Sequence, residues 1–145
     1  MVIIEDTRQQ AGKHNNLSDL EVIRSKLAFG DYALPPKIAV DTKAGLHEIA
    51  QNLCGSVKER SRFTRECKLA KQCGANLVFL IETGSYQKPS YLIGHDVLLL
   101  SGKKVSGLQL YRAMMATSQY YGCRFEFCER SETGRRIMEI LGNGI

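Results

Sequence analysis

With 145 residues, 43% of them hydrophobic and 24% charged, the chain has the size and balance of one ordinary globular domain. That composition excludes wholesale disorder, and no apolar run approaches the roughly 18–20 residues that span a bilayer. Lys plus Arg total 20 against 15 Asp plus Glu, a net charge of +5 that permits a polyanionic partner without demanding one. Met1 to Asp6 turns acidic at once and lacks the basic start of a signal peptide. A single cytoplasmic domain over residues 1–145, with no membrane association, is the expectation. The five cysteines, Cys54, Cys67, Cys73, Cys123 and Cys128, contain no CxxC pair and read as small buried hydrophobes in a reducing compartment.

Val2-Ile3-Ile4 is a β-branched run that reads as a buried strand delivering Glu5 and Asp6 at its end. Ala11 to Asn16 is polar loop. Val22–Leu27 predicts a strand, Phe29-Gly30-Asp31 a turn, Tyr32-Ala33-Leu34 a short strand broken by Pro35-Pro36, and Ile38 to Lys43 the next. Residues 22–43 therefore predict an antiparallel meander. Leu46, Ile49, Ala50 and Leu53 then set a helical rhythm, and Phe63, Cys67, Ala70 and Cys73 set a second one that ends at Gly74. Leu77 to Ile81 is a continuous apolar run, the mark of a strand covered on both faces. Residues 83–105 read as loops with short strands at Tyr91–Ile93 and Val97–Leu100. Leu108, Tyr111, Met115 and Tyr121 mark a long helix ending at Gly122. Arg124–Cys128 reads as a strand, and Thr133, Ile137, Ile140 and Leu141 lie on a last amphipathic helix, before a frayed tail at Gly142-Asn143-Gly144. The sum is an α/β sandwich with a mixed sheet and helices on both faces.

Charge is unevenly placed. Between Ser56 and Cys73 stand Lys58, Arg60, Arg62, Arg65, Lys68 and Lys71 against Glu59 and Glu66 only. That segment is either a solvated helix face or a phosphate-contacting surface, with Lys58, Arg62 and Arg65 on one side. Asp41 and Lys43, two apart on a strand, project to one face. Hairpin pairing brings Asp31 towards Asp41, and Asp6 ends a strand that could reach the same edge. Carboxylates packed together stay ionised cheaply only around a cation, and an all-oxygen set suits Mg²⁺ or Mn²⁺. A lysine beside them can orient a water and offset charge growing on a phosphate.

The succession of motifs resembles the XPF-type structure-specific nuclease domain of the PD-(D/E)XK superfamily. That family opens on a strand ending Asp-x-Arg-Glu, where this chain has Asp6-Thr7-Arg8-Gln9. A Gly-Asp-Tyr follows, here Gly30-Asp31-Tyr32. Glu-Arg-Lys-x(3)-Asp has its counterpart in Asp41-Thr42-Lys43 and His47. Arg-Leu-x-x-Gln corresponds to Arg62-Phe63-Thr64-Arg65-Glu66, and a strand ending Leu-Ile-Glu to Leu80-Ile81-Glu82. A closing helix–strand–helix matches residues 106–142. The resemblance implies a restriction-endonuclease-like three-layer sandwich and Mg²⁺- or Mn²⁺-dependent cleavage of branched DNA (flaps, forks or Holliday-type junctions) in repair or recombination. Asp31, Asp41 and the Thr42 carbonyl would be metal ligands, Lys43 the catalytic lysine, and Asp6 a further catalytic acid. Arg8, Lys58, Arg62 and Arg65 would meet nucleic acid, with His47 and Glu82 as further candidates. A homodimer or a partner subunit would complete the grip on DNA. A catalytically silent DNA-binding or nuclease-partner domain of the same fold is the alternative. Departures from the family pattern include Gln9 for Glu, Asp41 for Glu, Thr42 for Arg and His47 for Asp.

Overall fold

Six strands form one mixed sheet in the computed structural model, which describes residues 2–10, 21–25, 27, 29–34, 38–83 and 88–142. The expected loop at Ala11–Asn16, the break at Pro35-Pro36 and the tail beyond residue 142 lie outside the described residues. In chain order the strands are β1 (Val2–Asp6), β2 (Glu21–Ser25), β3 (Tyr32–Leu34), β4 (Ile38–Lys43) and β5 (Asn76–Glu82). A small pair, β6 (Val97–Leu98) and β7 (Lys104–Val105), precedes β8 (Arg124–Cys128). The spatial order of the main sheet is β2-β1-β3-β4-β5-β8. β1 runs parallel to β2 and antiparallel to β3, β3 is antiparallel to β4, and β4, β5 and β8 are parallel.

The expected meander holds for β3 and β4 but not for β2, which lies at the sheet's outer edge beyond β1. A continuous apolar run wants neighbours on both sides, and Val2-Ile3-Ile4 obtains them by entering between β2 and β3. The two-residue alternation of β2 carries no information about which neighbour it pairs with.

Helices cover both faces. α1 (Leu46–Cys54), α2 (Val57–Gln72) and α3 (Gly107–Tyr121) pack on one side, where Ala39, Phe79, Ile81 and Phe125 meet Ile49, Phe63, Leu110 and Met114. α4 (Thr133–Gly142) covers the other, where Val40, Val78 and Leu80 meet Ile137, Ile140 and Leu141. α2 and α3 each start at a serine, Ser56 or Ser106, whose hydroxyl accepts from the amide three residues on. This is a restriction-endonuclease-like three-layer sandwich. Among the described residues no helix is long and apolar enough to cross a membrane.

Three local readings change. Pro89–Leu92 is a turn of 3-10 helix rather than a strand reaching Ile93, since a proline suits the first position of a helix. α3 buries Gly107, Leu110 and Met114 and leaves Leu108 exposed, because Gly107 seats against the carbonyls of Leu92 and His95 where a Cβ would collide. That seat sets the rotation of α3, and the rhythm 108/111/115 is displaced from the core side. Cys67 and Cys123 are buried, but Cys54 and Cys128 are half-buried and Cys73 is exposed.

Candidate active site

Asp31 is presented by a tight turn. Gly30 takes φ +75°, and a Cβ there would stand 3.0 Å from that of Ala39, so glycine meets both the backbone and the space requirement. The Asp31 amide donates to the Val40 carbonyl and the Asp31 carbonyl accepts from the Asp6 amide, each at 2.7 Å, which locks the turn between β1 and β4. Asp31 Oδ2 accepts from both the amide and the hydroxyl of Thr42, each at 2.8 Å.

Asp41 and Lys43 project together on the α2 side of the sheet, as their two-residue spacing requires. Lys43 Nζ lies 3.4 Å from Asp41 Oδ2 and 3.9 Å from Glu48 Oε1. It also sits 5.8 Å from the centre of the Phe63 ring and 5.7 Å from that of Phe79. The third carboxylate is Glu66, from α2, whose Oε2 accepts from the Gly30 amide at 3.1 Å. Glu66 stands where the related motif has Gln.

Asp31 and Asp41 hold protons unusually well. Burial, then the neighbouring Asp41, pushes Asp31 up to about 6. Burial pushes Asp41 up to about 7; Lys43 opposes that rise and Glu66 adds to it. Asp31, Asp41 and Glu66 thus form a row in which Asp41 stands in the middle. Burial works against the charge on Lys43, but Asp41, Glu66 and Glu48 outweigh it and raise its proton affinity. Lys43 is therefore an ammonium at neutral pH and cannot serve as a base.

Asp6 ends β1 beside the turn that presents Asp31, as expected, and its side chain has partners of its own. Its carboxylate accepts from Arg8 Nε at 2.7 Å and from the Leu27 amide at 2.9 Å. Burial opposes its ionisation, and those two partners more than compensate, holding it below the usual carboxylate range. Asp6 thus ties β1 to the chain after β2, and Glu66 takes the place it was given beside Asp31 and Asp41. Arg8 braces this tie, with a second bond to the Leu27 carbonyl at 2.7 Å.

Glu82 is also displaced from the acid row. On β5 it shares the face of Val78 and Leu80, which α4 covers, and its Oε2 accepts from the Thr133 hydroxyl at 2.9 Å. His47 is exposed on the first turn of α1, in a hollow shared with Glu48, Gln51 and Arg62. Tyr120, near the end of α3, is exposed. Lys58, Arg62 and Arg65 are exposed on α2, as expected.

A cleft of about 380 Å³ opens over the row, lined by Asp41, Lys43 and Glu66 at its floor and by Arg8, Arg62 and Arg65 at its rim. Half-buried Asn52 lines it as well, and its Oδ1 has no hydrogen-bond partner among the described residues. The sequence signal for Glu66 was its spacing: three residues after core Phe63, it falls beside the apolar stripe of α2.

Asp31 before β3, Asp41 and Lys43 on β4 and Glu66 from α2 are thus brought together on one face of a three-layer sandwich. The same fold occurs in XPF from Aeropyrum pernix, with a TM-score of 0.70 at 20% identity over 97% of this chain and 63% of that one. XPF from Aeropyrum pernix in complex with DNA superposes equally, with a TM-score of 0.70 at 19% identity over 98% of this chain and 64% of that one. The chain has the fold of an XPF-type nuclease domain and spans less than two thirds of those relatives' length. No protein-family model matches the chain, and no curated protein does.

Proposed function

We propose that the chain is a divalent-metal-dependent endodeoxyribonuclease that hydrolyses one strand of branched DNA, such as a flap, fork or Holliday-type junction. The observation that carries this reading is the gathering of Asp41, Glu66 and the Lys43 ammonium in a cleft lined also by Arg8, Arg62 and Arg65, with Asp31 beside Asp41. An XPF solved with DNA shares the fold, which supports DNA as the substrate class.

The donor chemistry fits Mg²⁺ or Mn²⁺. The set is all oxygen, and two of its acids bind protons tightly because burial disfavours their charged forms. Among the described residues no group of three or more His, Cys, Asp or Glu forms a ready-made cage. Mg²⁺ commonly takes one or two carboxylates and completes its shell with water and phosphate oxygens, so Asp31 and Asp41 would hold it, with the Thr42 carbonyl beside them. The bound ion would lower the proton affinity of a water and neutralise charge on the phosphate. Lys43, fixed as an ammonium against Asp41, would orient the attacking water and offset charge building on the phosphate oxygens. Arg8, Arg62 and Arg65 would hold the flanking phosphates, which fixes the scissile bond over the row.

The test is cleavage of labelled flap, fork and Holliday substrates with Mg²⁺ or Mn²⁺ by the parent and by Asp41→Ala. The parent should nick and the variant should not, while both retain DNA affinity. A parent that makes no cut that the variant loses ends the nuclease reading. Retained affinity would then leave the silent DNA-binding or partner-domain reading, which the two Thr42 donors already occupying Asp31 Oδ2 favour.

A further inference from the structure

The arginines of this chain fall into two populations. On β8 and α4, Arg124 and Arg136 pair with Glu126, and Arg135 pairs with Glu132 and Glu139. On α2, among the described residues, neither Arg60, Arg62, Arg65 nor Lys68 has any carboxylate partner. The two acids of α2 are turned away from its crest: Glu66 reaches the Gly30 amide, and Glu59 accepts from the Gln51 side chain at 2.8 Å. The crest is thus left with uncompensated positive charge.

It is also grooved. A hollow of about 380 Å³ runs along the outer side of α2, lined by Arg60, Ser61, Thr64, Arg65 and Lys68. Arg65 lines this hollow and the acid-floored cleft alike, so it stands between the two. Cations flanking two hydroxyls suit successive phosphates of a nucleic-acid backbone, with the hydroxyls donating to phosphate oxygens.

We infer that the crest of α2 is a second phosphate track, which carries an arm of the DNA away from the cleft by way of Arg60, Ser61, Thr64 and Lys68. The inference rests on the proposed DNA-cleaving role of the cleft and adds how a branch is recognised. One arm crosses the rim at Arg8 and Arg62, the other crosses the helix, and Arg65 stands where they part. A linear duplex engages one track at a time, whereas a branched molecule engages both.

The test is DNA affinity without divalent metal, so that binding is read apart from cleavage. The parent and the double variant Arg60→Ala/Lys68→Ala are titrated with a linear duplex and a flap over a range of salt. Both positions are exposed and outside the row, so the variant folds and keeps its metal response. Loss of two phosphate contacts lowers the salt slope on the flap by about 1.8. Between about 50 and 200 mM salt the variant should therefore lose about tenfold less affinity for the flap than the parent does. Its preference for flap over linear duplex should collapse. Arg135→Ala, paired on the opposite face, should change neither. An unchanged slope, or an equal loss on both DNAs with the preference intact, overturns the track. A parent that binds with this slope but never cleaves would end the nuclease reading and leave the track standing.

Discussion

Replacing Asp41 by Asn tests the electrostatics of the row without any DNA. Asp41 ionises near 3.8 when exposed and at about 7 in the fold, and Asp31 rises from 3.8 to about 6. Between those limits the folded chain binds more protons than the unfolded chain, so stability must fall as pH rises through the window. From pH 5 to pH 8 Asp41 accounts for roughly two units and Asp31 for roughly one, together ~4 kcal/mol at about 1.4 kcal/mol per unit. The Asn variant removes the larger share and lowers the remainder, since Asp31 no longer faces a charge; a loss of ~1 kcal/mol is expected. The assay is urea unfolding in a metal chelator at pH 5, 6, 7 and 8. Mg²⁺ added at pH 8 should restore much of the parent's loss and little of the variant's, because a cation supplies the missing countercharge. A parent whose metal-free stability is flat or rising from pH 5 to 8, or an Asn variant that loses as much, would refute the raised proton affinity of Asp31 and Asp41.

Lys43→Met should lower the cleavage rate about 10²–10³-fold while leaving DNA affinity within about twofold, because in the proposed role the ammonium would face the reacting phosphate and not the rim; single-turnover kinetics at saturating DNA read the difference. Thr133→Val should cost about 1–3 kcal/mol in urea unfolding, since it removes the donor to buried Glu82, yet leave the single-turnover rate unchanged. A rate that fell with Thr133→Val would put Glu82 back in the site.

How much of this was legible in the sequence follows the reach of each rule. The pairing of Asp41 with Lys43 was legible because strand period is local: two residues apart means one face. The β3–β4 hairpin was legible for a similar reason, since two short strand-like runs stand either side of Pro35-Pro36 in the sequence. The edge position of β2 was not, because pairing partners are chosen by the whole sheet. Asp6 and Glu66 exchange roles for a subtler reason. Asp6 was placed by chain order at a strand end, but Arg8, two residues on, reaches it first and draws its charge to the β1–β2 edge. Glu66 was counted among the charges of a basic helix, where its sign looked like partial neutralisation of the surface.

What turns Glu66 inward is the phase of α2, and that phase is set by aromatic packing. Phe63 lies 4.6 Å from Phe79, which lies 5.2 Å from Phe125, so the helix is held to the sheet by a row of rings. With Phe63 fixed against β5, residues at 100° intervals have no freedom: Glu66 must face the Gly30 turn, and Arg62 and Arg65 must border the cleft. A one-residue rotation would bury an arginine and expose the phenylalanine, and both changes are costly. Glu66 of the floor and Arg62 and Arg65 of the rim are therefore the inner and outer flanks of one helix whose rotation Phe63 fixes, and the same packing carries Arg60 and Lys68 onto the crest, with Arg65 between the crest and the cleft.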